Sequence, residues 1–172
     1  ASIGDLFRRI ASDTRTHARF LNTVSMLEYI GARKIMKSQL APLIDMETLN
    51  HLTEEIRHAW LVKRLAQKLD SQAASTYEAD CLLCGKEGEG YIQALDAAAK
   101  ADLQLSPPDW IQDDAKLGWL NYLYTSLLIE ERADVFYGAY VTVLEELGLA
   151  GSLKAIIKDE AKHLEQMAAR IH

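Results

Sequence analysis

The tetrapeptide Glu55-Ile56-Arg57-His58 returns near the other end of the chain as Glu160-Ala161-Lys162-His163. Each lies in a run whose apolar residues recur at helical spacing. At about 3.6 residues per turn, positions i and i+3 share one side of a helix. Each motif therefore directs a carboxylate and an imidazole the same way. Two further carboxylates, Glu28 and Glu130, sit upstream inside other long helical runs. Four carboxylates buried together repel one another and lose their water, so such a set calls for cations. A lone Glu-x-x-His is usually chance on a solvated helix. Two of them, each preceded by a Glu among apolar neighbours, point to a metal site.

The rest of the sequence agrees with helices. Only three prolines and nine glycines occur in 172 residues, and alternating Val/Thr patterns that would mark strands are nearly absent. Residues 2–11 suit a short lead-in helix. Asp13 can cap a helix running to about Gln39, with Phe20, Val24, Leu27, Gly31 and Ile35 on one stripe. Pro42 suits a helix start, and the run to Leu69 carries Leu52, Glu55, Ala59, Val62 and Ala66 on one face.

Residues 70–112 form a connecting region: a short helix ending near Cys84, a break at Gly85, Gly88 and Gly90, a helix from Tyr91 to Leu103, and a stop at Ser106-Pro107-Pro108-Asp109. A third long helix spans Asp113 to Leu147, closed by Gly148, and Ser152 caps a fourth that holds Glu160 and His163. The expectation is a single all-α domain, 1–172: a four-helix bundle with a long crossover between helices 2 and 3.

Ligands on two antiparallel helices meet only if they lie equally far from the turn. The midpoint of Glu28 and Glu55 falls at Ala41-Pro42, where the turn is expected. That of Glu130 and Glu160 falls at Glu145, a few residues short of Gly148, which leaves an offset in the second pair.

Iron suits this donor set, because carboxylates can bridge or chelate two ions while imidazole serves both oxidation states. On these motifs the chain resembles the ferritin-like di-iron carboxylate superfamily, which includes rubrerythrins, ribonucleotide reductase small subunits, monooxygenase hydroxylases and tRNA hydroxylases. The resemblance covers residues 13–69 and 113–170; the segment 70–112 has no counterpart in it. It implies two Fe ions (Fe/Mn and Mn/Mn pairs being alternatives) held by Glu28, Glu55, His58, Glu130, Glu160 and His163.

Glu131 competes with Glu130. Glu130 shares its face with Leu127, Ala133, Tyr137, Val141 and Leu144, which favours it. Glu54 and Asp159 precede the motif glutamates and are expected to face outward. His51, one turn before Glu55, is expected as a core or pocket histidine and not as a ligand, since six residues already complete the site. Asp134 is a candidate to hold the far nitrogen of a ligand histidine, and Tyr29, Tyr124 and Tyr137 are candidates to line the cavity. A single Cys81-x-x-Cys84 is half of a rubredoxin-type iron site, so a rubrerythrin with its electron-transfer domain is excluded; buried or idle thiols are expected, with a redox dithiol as the alternative.

The resemblance implies an oxidoreductase that activates dioxygen to oxidise a small organic substrate, drawing electrons from a donor protein or reductant. The alternative is ferritin- or rubrerythrin-like: iron oxidation and storage, or peroxide disposal. A third reading leaves the metal a purely structural role. Leu128-Ile129-Glu130-Glu131-Arg132 is similar to the tRNA-hydroxylase branch. A net charge of −6 argues against phosphate contacts, so nucleic acid is disfavoured while tRNA stays open. No apolar run reaches the roughly 18 residues of a membrane span, and Ala1-Ser2-Ile3-Gly4-Asp5 lacks signal-peptide character. A cytoplasmic protein is expected, and a homodimer is compatible with the sequence.

Overall fold

A computed structural model describes residues 2–38, 44–109, 111 and 113–171, without the side chains of Ser38, Ser152 and Ile171. Short acidic and hydroxyl side chains set where its helices begin. Ser2 and Asp5 form a reciprocal capping box on α1 (Ile3–Ala11). Asp13 accepts from Thr16 N at 2.8 Å at the start of α2 (Thr14–Ser38). Asp45 and Asp113 cap α3 (Met46–Leu69) and α5 (Asp114–Glu146) in the same way. Gly148, at φ +70, takes the left-handed turn after α5. A 3-10 turn (Ala150–Ser152) then leads into α6 (Leu153–Ile171). Every regular element among the described residues is helical. The fold is all-α.

Two boundaries differ from expectation. The described start of α3 is Met46, fixed by Asp45; Pro42, Gln39 and the side chain of Ser152 lie outside the described residues. In the connecting segment there is a 3-10 turn at Ala79–Cys81 instead of a helix ending near Cys84. There α4 (Gly85–Leu105) runs straight through the three glycines. Gly88 permits close approach instead of breaking the helix. A Cβ on Gly88 would sit 3.3 Å from Leu27 Cδ1 of α2, so bare backbone lets α4 lie against α2.

Contacts fix how the long helices run. From α2 to α3 the pairs are Asn22 with Lys63, Ser25 with Ala59 and Gly31 with Glu55. From α5 to α6 they are Glu145 with Lys154, Glu130 with His163 and Trp119 with Arg170. In both series one number rises as the other falls, so each pair is antiparallel. Glu47 with Arg170, Glu54 with His163 and His58 with Glu160 give the same result for α3 and α6.

Two apolar clusters hold these helices together. The larger contains Leu21, Val62, Leu65, Tyr140, Leu144 and Ile156; the smaller contains Ile35, Tyr122, Leu123 and Met167. Burying each such side chain contributes about 1.5–3 kcal/mol. Along α2, α3, α5 and α6 the motif residues lie between the members of the two clusters. The chain thus builds one polar layer between two dry ones. Within the larger cluster the His17 ring and the Tyr140 hydroxyl satisfy each other.

Candidate metal centre

Seven side chains converge in the polar layer. His51, Glu55, Glu130 and His163 each bring one ligand atom to a common point, with these atoms all within 4.8 Å of one another. Glu28, Glu55, His58 and Glu160 do the same at a second point. Glu55 belongs to both groups. Glu160 also spans them, with Oε1 at 2.9 Å from His58 Nδ1 and Oε2 at 3.8 Å from His163 Nδ1. The six residues singled out in the sequence are all brought together, and His51 joins them.

The histidines are held by acids from the facing helix. His58 Nε2–H donates to Asp159 Oδ2 at 3.1 Å, and His163 Nε2–H donates to Glu54 Oε2 at 2.7 Å. Each acid belongs to the other histidine's helix. Arg57 pairs with Asp159, and Lys162 lies 3.2 Å from Glu54. Glu54 and Asp159 therefore do not face outward: their side chains are 20% and 18% exposed and take the role anticipated for Asp134, which is itself exposed. The signal was present, since each motif is a five-residue repeat of acid, Glu, any residue, base, His.

With Nε2 committed as a donor, each ring turns Nδ1 inward, where it offers a lone pair once a cation displaces its second proton. His58 Nδ1, His163 Nδ1, Glu55 Oε1, Glu130 Oε2 and Glu160 Oε1 are buried without a hydrogen-bond partner. Even the 2.9 Å approach of His58 Nδ1 to Glu160 Oε1 lacks hydrogen-bond direction. Buried polar atoms are normally satisfied. Among the described residues four further buried atoms, of Arg19, Asn121, Thr125 and Arg170, also lack a hydrogen-bond partner, but these five all belong to residues of the two groups, which is how a donor set for two cations is arranged. The residues fit a pair of metal ions.

Electrostatics says the same. Burial, then the charges of Glu55 and Glu160, push Glu28 well above the carboxylate range. Burial and the Glu160 charge raise Glu55 to about 7, and burial with the Glu160 contact raises Glu130 to about 8. Burial opposes charge on the imidazoles, yet Glu160 and its neighbours raise His58 to about 9, and Glu130 with Glu160 raises His163 to about 11. Glu160 moves the other way: contacts with Glu130, His163 and His58 outweigh its burial.

Glu130 is 3% exposed, whereas Glu131 faces solvent. Of the three candidate tyrosines, Tyr137 enters the layer, donating to Glu28 Oε1. Tyr29 stacks on Tyr77 away from it, and Tyr124 is exposed. Its neighbour Tyr122 hydrogen-bonds His51 Nδ1 at 2.8 Å. Cys81 and Cys84 are free thiols, the first buried and the second exposed.

A cavity of about 240 Å³ reaches this layer. Phe20, Val24 and Leu27 of α2, Ile129 and Phe136 of α5 and Ile92 of α4 form apolar walls, and Glu28, Glu55, Glu130 and Glu160 line it too. Arg132 and Tyr91, both exposed, complete the lining at the solvent side, with the guanidinium 4.0 Å from the ring centroid.

Searches against family models, curated proteins and solved structures give no match to this chain. No described helix is long and apolar enough to cross a membrane.

Proposed function

We propose that the chain is a ferritin-like four-helix bundle, α2/α3 and α5/α6 joined by a crossover through α4, and a di-iron oxidoreductase that uses dioxygen to oxidise a small organic molecule. The observation that carries this is the meeting of two metal-ready groups, sharing Glu55, with an apolar cavity. A pair of irons bound there would supply dioxygen reduction, with one oxygen atom entering the substrate and the other leaving as water, given two electrons from a reductant and two protons.

The protein's own residues do the positioning. Glu28, His58 and Glu160 would hold one ion, His51, Glu130 and His163 the other, with Glu55 between them. Glu54 and Asp159 keep the imidazoles aimed inward. Tyr137 keeps Glu28 turned toward the cavity and holds a proton at its phenolic oxygen. The apolar walls exclude water from the space where substrate sits.

Iron storage makes no use of an apolar chamber ending at the ligands, so the oxidase is favoured. The test is to load the protein with ferrous iron, add air and reductant, and measure iron per chain and oxygenated product. Two irons per chain with dioxygen consumption coupled to an organic product supports the oxidase. Uptake of many irons per chain into a large assembly would establish storage instead.

A further inference from the structure

We infer that the cavity accepts a medium-chain aliphatic carboxylate, held head-outward by Arg132 with its alkyl end toward the metal layer. The inference rests on the oxidase proposal only for what becomes of the molecule once bound. Three observations carry it. The walls are hydrocarbon, so they recognise a chain and offer little to a polar body. The chamber, at about 240 Å³, takes a short aliphatic chain, for which octanoate is the probe. Arg132 on the solvent side touches the Tyr91 ring, and no described carboxylate comes within ion-pair distance of it.

The polarity of the cavity sets the direction. Its inner end already carries Glu28, Glu55, Glu130 and Glu160. Two divalent ions balance these four charges and leave none over, so a fifth carboxylate is disfavoured there. Among the described residues lining the chamber the Arg132 guanidinium is the one cation, and its planar fork matches a carboxylate in two hydrogen bonds. One positive charge matches a monoanion better than a dianionic phosphate.

The test uses manganese(II)-loaded protein, which binds without turnover. Calorimetry with octanoate and octan-1-ol should show octanoate binding at least about tenfold more tightly, the scale of one charged hydrogen-bonded contact. Arg132→Gln should remove that preference, leaving octanol affinity and metal content unchanged. In the wild type the paramagnetic ions should broaden the NMR signal of the octanoate methyl carbon more than its carboxyl carbon. Equal affinity for acid and alcohol, an unchanged preference in Arg132→Gln, or stronger broadening at the carboxyl carbon each overturns the inference. Octanoate that binds as described but gives no product with iron, dioxygen and reductant supports this site and counts against the oxidase instead. An oxidase that turns over only neutral substrates does the reverse.

Discussion

Glu54 on α3 accepts from His163 Nε2 on α6 at 2.7 Å, and Asp159 on α6 returns the contact to His58 on α3 at 3.1 Å. The exchange locks the two motif helices together and turns both Nδ1 atoms inward. Removing an acid that orients a ligand histidine typically weakens metal binding by about 10–100-fold. Glu54→Ala and Asp159→Ala should each show that loss in a chelator competition, while Glu131→Ala, at an exposed position, should not. Equal affinities across all three would mean the acids serve only as helix–helix ties.

Glu55 makes a sharper case because both groups depend on it. Elemental analysis of Glu55→Ala should find both ions gone. Glu28→Ala and His51→Ala, each in one group only, should retain about one ion per chain. If Glu55→Ala kept a full ion, the two groups would not share that carboxylate.

How much of this was legible in the sequence follows from the range of each signal. Glu55, His58, Glu160 and His163 announced themselves because a helical i, i+3 pair is a local fact, repeated twice. Glu130 was separable from Glu131 by the apolar residues one turn away. The reciprocal roles of Glu54 and Asp159 depend on which helices touch, and neither motif alone carries that. Gly88 was misread as a breaker since propensity says nothing of Leu27 waiting 3.3 Å away. The offset in the second pair came from counting Glu130 to Glu160; the midpoint from Glu130 to His163, which do approach at 3.6 Å, falls at the end of α5.

Metal affinity should climb with pH. Without metal, Glu55 near 7, Glu130 near 8, His58 near 9 and His163 near 11 all retain protons at neutral pH, and ions must displace them. Manganese(II) titrations between pH 6.5 and 8.5 should show steeply tighter binding, with protons released into a weak buffer. The stability of the metal-free protein runs the other way. Carboxyls raised from 4.5 and imidazoles raised from 6.5 favour the fold below those values, and that contribution is lost as pH rises through the folded ones. Depressed Glu160 adds stability above 4.5 that is lost on further acidification. Chelator-treated protein should therefore melt highest near pH 5 and progressively lower toward pH 9. A melting temperature that rises over that span would refute the assignment of these groups to one buried layer.

Substituting glutamine separates the carboxylates from one another. Glu28 and Glu130 are held in a layer that disfavours their charge, so the double variant Glu28→Gln, Glu130→Gln should raise the melting temperature of the metal-free protein while abolishing metal binding. Glu160, kept ionised by its contacts with Glu130, His163 and His58, should respond oppositely, and Glu160→Gln should lower it. Calorimetric melts after chelation decide both signs.

Gly31 poses helix propensity against the site. It lies one turn after Glu28 on α2, and a Cβ there would meet Glu55 Oε2 at 3.3 Å. In a helix interior alanine is favoured over glycine by about 0.5–1 kcal/mol, so Gly31→Ala should stabilise the metal-free protein modestly. The new methyl would also push the shared carboxylate aside by a few tenths of an ångström. Glu55 serves both groups, so that displacement should weaken both ions together. The expected result is a higher melting temperature without metal and a lower manganese(II) affinity with it. A variant that gained in both measurements would show that the layer repacks freely around Glu55, and that the bare backbone at Gly31 is not what admits this carboxylate to the centre.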